Sequence, residues 1–202
     1  WYAVENSEAP TRETHMVQRA YYSGLIKQID VEVGRIVDAL DRKGILDNTV
    51  IIFSSDHGDY LGDHGLRGKG SFYEGACHVP MLVRHPDLGT SQVRDDLVTL
   101  TDVTATMLRL GGCDVPDYVD SVPLPGVGES DAPTREFVFG VLSGGWMLYD
   151  GTWKLVRYPQ GTQLYHLEDD PDELHNRARD PECASILNEM DVRLTAEVMR
   201  SV

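Results

Sequence analysis

The sequence predicts an α/β domain followed by a small antiparallel sheet that carries a helix, and three observations lead there. Apolar residues recur at spacings of three and four through a long stretch after Glu13, which then feeds a short β-branched run, Thr49-Val50-Ile51-Ile52. A second run of that kind, His78 to Val83, follows a glycine-rich interval. Beyond Arg135 the pattern changes to short apolar runs separated by turn dipeptides, closed by an amphipathic segment. The expected division is a larger α/β part over 1–134 and a small sheet subdomain over 135–202.

In chain order, residues 1–12 are polar, contain Pro10 and lack periodicity, so a connecting segment is expected there. Leu25, Ile29, Val33, Ile36, Val37 and Leu40 form one apolar stripe on a helix that ends near Lys43-Gly44, with Gly44 suited to a left-handed cap. Asp47-Asn48 turns the chain into a buried strand over 49–54, so that helix and strand make half of a βαβ unit. Residues 58–78 are rich in glycine and poor in aliphatics and read as a long loop across the strand ends. His78-Val79-Pro80-Met81-Leu82-Val83 resumes a strand with proline at its start. Thr101-Asp102 caps a helix that stops at Gly111-Gly112, and 113–134 is a surface excursion. Runs at 137–142, 146–149, 153–158 and 163–167 predict an antiparallel meander, and a helix from Pro181 to Met199 covers one of its faces.

A chain of 202 residues with 41% hydrophobic content can bury a full core. The balance of 18 basic against 33 acidic residues, net −15, argues against nucleic acid or an anionic membrane as the main partner. An anionic substrate then requires a local cation. No apolar run is long enough to span a bilayer and no signal peptide is visible, although a chain starting at Trp1 gives that second observation little weight. Cys77, Cys113 and Cys183 are odd in number and widely spaced, so buried free thiols are expected. An acidic chain without paired cysteines is compatible with bacterial cytoplasm or periplasm.

The chemistry concentrates at Phe53-Ser54-Ser55-Asp56-His57-Gly58-Asp59-Tyr60-Leu61-Gly62-Asp63-His64. Asp56 and His57 sit where a strand ends, the place at which open α/β sheets bind ligands, and an acid beside an imidazole can hold a metal ion. Taken alone the pair could equally form a turn or a cap. Lys69, in Arg67-Gly68-Lys69-Gly70, could meet an anionic group or be an ordinary solvated lysine. Tyr73, Glu74 and His78 read as packing and hydrogen-bonding residues.

The order of these motifs resembles the sulfatase branch of the alkaline phosphatase superfamily. The resemblance is carried by Tyr21-Tyr22-Ser23-Gly24-Leu25-Ile26 through Asp30 to Ile36, Ser55-Asp56-His57-Gly58, Leu61-Gly62-Asp63-His64-Gly65, Lys69, Tyr73-Glu74-Gly75 and His78-Val79-Pro80. Leu100 to Thr106, Trp153-Lys154-Leu155, Leu164 to Leu167, Asp170 to Glu173 and Asn176 continue it, so that it covers about 19–183. It implies part of an alkaline-phosphatase-like sheet with flanking helices, followed by a small antiparallel sheet with a helix. It also implies that Asp56 and His57 ligate a divalent cation, Ca²⁺ foremost with Mn²⁺ or Mg²⁺ as alternatives, and that Lys69 is catalytic, touching the sulfate or phosphate oxygens. His64 is a candidate substrate contact, with a supporting hydrogen bond behind the site as the favoured role, and His78 is expected to pack beside its strand.

Sulfatases use a Cys/Ser-x-Pro-x-Arg motif whose first residue becomes the formylglycine nucleophile, and none of Cys77, Cys113 or Cys183 starts one. The upstream pair of acids and the upstream catalytic histidine also lack counterparts. The resemblance therefore implies the C-terminal portion of a sulfuric ester hydrolase, with the formylglycine in the missing N-terminal part and the isolated chain inactive. Substrates would be small-molecule or glycan sulfate esters. The histidine at position 57, where many arylsulfatases carry asparagine, keeps a phosphonate or phosphate diester hydrolase open as an alternative, beside a non-catalytic truncated member. An exposed strand edge and apolar surface further predict self-association.

Overall fold

The computed structural model describes residues 11–89, 91–127, 134–142 and 144–200. The expected connecting segment lies mostly outside them, as does part of the expected excursion over 113–134. The described residues form two compact units, one holding residues up to Gly70 with Val79–Gly89, the other Ser71–His78 with the residues beyond Thr90.

In the first unit, helix α1 (Arg12–Arg42) runs for 31 residues. The Thr11 hydroxyl accepts the Thr14 amide at 3.2 Å to cap its start. At its end Gly44, with φ +67°, turns left-handed. The amides of Gly44 and Ile45 then reach back to the carbonyls of Asp41 and Leu40, which satisfies groups the helix leaves open. The apolar stripe is present but divided. Val33, Val37 and Leu40 are half-buried, whereas Leu25, Ile29 and Ile36 are exposed, with Met16, Val17, Tyr21 and Ile26 beside them.

Strand β1 (Ile51–Ser54) pairs antiparallel with β2 (Met81–Arg84) in the register Ile51↔Arg84 to Ser54↔Met81. This corrects the expected fully buried strand of a βαβ unit: all four residues of β1 are only half-buried, because the described residues give it one neighbour strand and that neighbour is antiparallel. Arg84 ties the pair to the preceding turn by donating to the carbonyls of Leu46 and Thr49 at 2.8 and 2.9 Å.

The second unit contains α2 (Glu74–Cys77), α3 (Leu100–Leu110) and a four-stranded antiparallel meander, β3 (Val138–Leu142), β4 (Gly145–Tyr149), β5 (Trp153–Tyr158) and β6 (Gly161–His166). Helix α4 (Ala184–Arg200) follows a short turn at Pro181–Cys183. The period-2 alternation of the strands builds two faces. Leu148, Leu155 and Leu164 face one another across the register and are fully buried together with Cys183 of the turn and Met190 and Leu194 of the closing helix. Met147 and Val156 meet Phe72 in a second cluster. Gly145 has to be glycine, since a Cβ there would lie 2.6 Å from the Tyr158 ring.

Helix α3 is capped by Thr99 rather than by Thr101-Asp102. Asp102 lies inside the first turn and reaches back to accept the Thr99 amide at 2.8 Å. Its carboxylate is buried, and it also receives the Val122 amide at 2.9 Å and the guanidinium of Arg135. Among the cysteines only Cys183 is buried; Cys77, the last residue of α2, and Cys113, beyond the end of α3, are exposed, which corrects the expectation of buried thiols. No helix among the described residues is long and apolar enough to cross a membrane.

Candidate active site

Asp56 and His57 stand immediately beyond β1, where the chain leaves the ladder and turns. The turn is fixed from within: the Ser55 hydroxyl donates to the His57 carbonyl at 2.7 Å and the His57 amide donates to Asp56 Oδ1 at 3.0 Å. His57 Nδ1 is 2.7 Å from the Gly58 carbonyl oxygen, so Nδ1 carries the proton and Nε2 presents a lone pair. That Nε2 lies 3.3 Å from Asp56 Oδ2. Both atoms are electron-pair donors, so a cation between them would be held from two sides. The Asp56 side chain is 82% exposed, so one side of the pair is open to such a cation.

The following loop is less irregular than its glycine content suggests. Asp59 Oδ1 accepts the amides of Leu61 and Gly68 at 2.8 and 3.3 Å, while the amide of Tyr60 donates to the Gly68 carbonyl and that of Gly62 to the Leu66 carbonyl. Tyr60, a member of this ring, is buried. From α1, Arg19 donates to the Leu61 carbonyl at 2.9 Å and to Asp63 Oδ1 at 2.7 Å. Leu61, Gly62 and His64 have φ values of 49°, 101° and 53°, so two residues with side chains occupy the left-handed region. The ring and the arginine hold them there.

Lys69 leaves this ring one residue after Gly68, exposed, and makes no hydrogen bond or ion pair among the described residues. His64 is likewise exposed. His78, expected beside its strand, is instead 78% exposed and pairs with Glu74 at 2.8 Å, since it terminates α2 before β2 begins. Asp59 and Arg19 escaped the sequence reading. Asp59 looks like one more turn acid, and nothing in the helical spacing marks Arg19 as contacting a residue 42 positions away. Among the described residues no cluster of three or more metal-ligating groups occurs, so Asp56 and His57 supply two donors.

A family profile described as Sulfatase matches residues 2–113. Arylsulfatase K of Xenopus laevis is 31% identical over 215 residues, which covers 96% of this chain and 40% of that protein. Among solved structures, a 2-O GAG sulfatase matches with a TM-score of 0.87 at 26% identity, covering 96% of this chain and 45% of the other. A phosphonate monoester hydrolase of Agrobacterium radiobacter matches with a TM-score of 0.83 at 30% identity, covering 95% and 43%. The chain thus spans about two-fifths of the length of the curated relatives it matches, and its fold is of the alkaline-phosphatase-like kind. Since the profile match takes in more than half of its residues, the chain belongs to the sulfatase family.

Proposed function

We propose that the chain is the C-terminal portion of a metal-dependent sulfuric ester hydrolase, carrying part of the metal site and part of the sulfate site. The observation that supports this best is the facing pair at the end of β1, an open carboxylate oxygen and an imidazole Nε2 separated by 3.3 Å. The carboxylate suits a hard cation, Ca²⁺ foremost for a site completed by further acids with Mg²⁺ beside it, and the imidazole nitrogen admits Mn²⁺. When bound, the cation would supply charge stabilisation at a sulfuryl oxygen. Asp56 and His57 hold that position, and the Gly58 carbonyl keeps the imidazole in the ligating tautomer. Lys69 brings a mobile ammonium that can neutralise a non-bridging oxygen of the ester as charge develops on it. His64 is a subsidiary substrate contact. The remaining ligands and a formylglycine nucleophile belong to a part of the enzyme beyond these residues, so the isolated chain is inactive. Small-molecule or glycan sulfate esters are the substrates.

One observation favours a second reading, a phosphonate or phosphate diester hydrolase on the same scaffold: the phosphonate monoester hydrolase is the more similar in sequence of the two solved structures, at 30% against 26%. Rates of the full-length protein on aryl sulfate and aryl phosphonate esters separate the two. In that protein Asp56→Ala should lose both bound metal and turnover, while Lys69→Ala keeps the metal and loses turnover. Undiminished turnover in both variants, or no hydrolysis of either ester class by the full-length protein, would sink the assignment and leave a non-catalytic member.

A further inference from the structure

We propose that Arg19 is a positioning residue for Lys69, acting through the Asp59–Gly68 ring; the inference rests on the role given to Lys69 above. The Lys69 ammonium has no partner of its own among the described residues, so the direction in which the backbone leaves Gly68 decides where it points. That exit is set by the ring, closed by the Asp59 carboxylate on the Gly68 amide and by the Tyr60 amide on the Gly68 carbonyl. The middle of the ring is its weak point. Leu61 and His64 sit in left-handed backbone that residues with side chains keep only under constraint, and Arg19 supplies a constraint there with one bond to the Leu61 carbonyl and one to Asp63.

The guanidinium fork is mounted on a helix of 31 residues, so it refers the ring to a rigid element. His15, one turn earlier on the same face, lies against Gly62 so closely that a Cβ there would be 2.7 Å from its Nδ1. The contact is therefore shaped as well as charged. Arg19 and Asp63 are 54% and 60% exposed, and ion pairs so exposed add little to stability. Their value lies in geometry, which a melting curve does not read.

A double-mutant cycle in the full-length enzyme tests this, with Arg19→Met, Lys69→Ala and the combination assayed on an aryl sulfate. Arg19→Met should lower kcat/KM about tenfold or more, as misplacement of a reacting group does, with metal content and melting temperature unchanged. Added to Lys69→Ala it should cost nearly nothing, because the group through which it acts is gone, and Arg19→Lys should fall between wild type and Arg19→Met. Wild-type activity in Arg19→Met, or the same loss in both backgrounds, overturns the proposal. Should Arg19→Met not fold, Asp63→Ala takes its place in the cycle. If Lys69→Ala is itself fully active, the role of Lys69 has failed rather than the link. Hydrogen exchange at the Gly62 and Gly68 amides then decides: faster exchange in Arg19→Met supports the link, and unchanged exchange overturns it.

Discussion

Lys154 and Glu173 form a 2.8 Å ion pair in which both side chains are almost wholly buried, 1% and 2% exposed. The same ammonium donates to the Phe72 carbonyl at 3.0 Å and to the Glu74 carboxylate, and the other oxygen of Glu173 accepts the Glu74 amide at 2.7 Å. Strand β5, the turn after β6 and the start of α2 thus meet at one charge centre. Burying such a centre costs desolvation, which its complete set of hydrogen bonds offsets.

Lys154→Met should therefore destabilise the protein by about 3–5 kcal/mol, since it strands the buried Glu173 carboxylate without its cation. Adding Glu173→Gln should recover part of that loss. Urea denaturation followed by tryptophan fluorescence checks both, and a loss for Lys154→Met no larger than that of a surface substitution would count against the charge centre.

Asp170 gives the second unit an acid-sensitive turn. Burial raises its pKa, but the amides of His175 and Leu174, at 2.8 and 3.0 Å, together with the His175 side chain, outweigh burial and hold it below the usual carboxylate range. A depressed folded-state pKa contributes stability that is fully present above the unfolded value, about 3.9, and is lost as pH falls through the folded value. Stability should fall below about pH 4, and Asp170→Asn should flatten that limb of the pH–stability curve while lowering stability at neutral pH. An unchanged acid limb in Asp170→Asn would assign the acid loss to other groups.

Gly62→Ala should cost about 1–3 kcal/mol, through a φ of 101° that alanine disfavours and a clash with the His15 ring. Thermal unfolding measures it, and a neutral result would mean that α1 yields at His15.

The 202-residue chain alone should self-associate, because Leu25, Ile29 and Ile36 leave a row of apolar side chains along one face of α1 in water, with Ile26 beside it, each more than half exposed. Light scattering across a concentration series should show a rising mass, reduced by Leu25→Lys with Ile29→Lys. A monomer at every concentration would refute the expectation.

Periodicity revealed what local physics determines. The meander, its turns, α4 and the ends of α1 and α3 follow from alternation and from end signals such as Gly44 and Gly112. Burial and partnership were less legible. The β-branched run at Thr49–Ile52 looks the same whether one strand or two lie beside it, so its half-burial could not be read. Asp102 was seen as a cap, but its buried pairing with Arg135 joins residues 33 apart, and no local pattern encodes that. At the candidate site, Asp56, His57 and Lys69 stand out as a sequence motif, whereas the Asp59 ring and the Arg19 contact needed coordinates.

Strands β3 to β6 each pair with a sequence neighbour, whereas β1 and β2 meet only after the whole glycine-rich segment between them has closed. Local pairing is fast and long closures are slow. The meander should thus acquire its amide protection first in pulse-labelled refolding, with β1 and β2 protected later; simultaneous protection would contradict this order. Since the Asp56–His57 turn lies directly beyond β1, it should become ordered only after that later pairing, behind the meander.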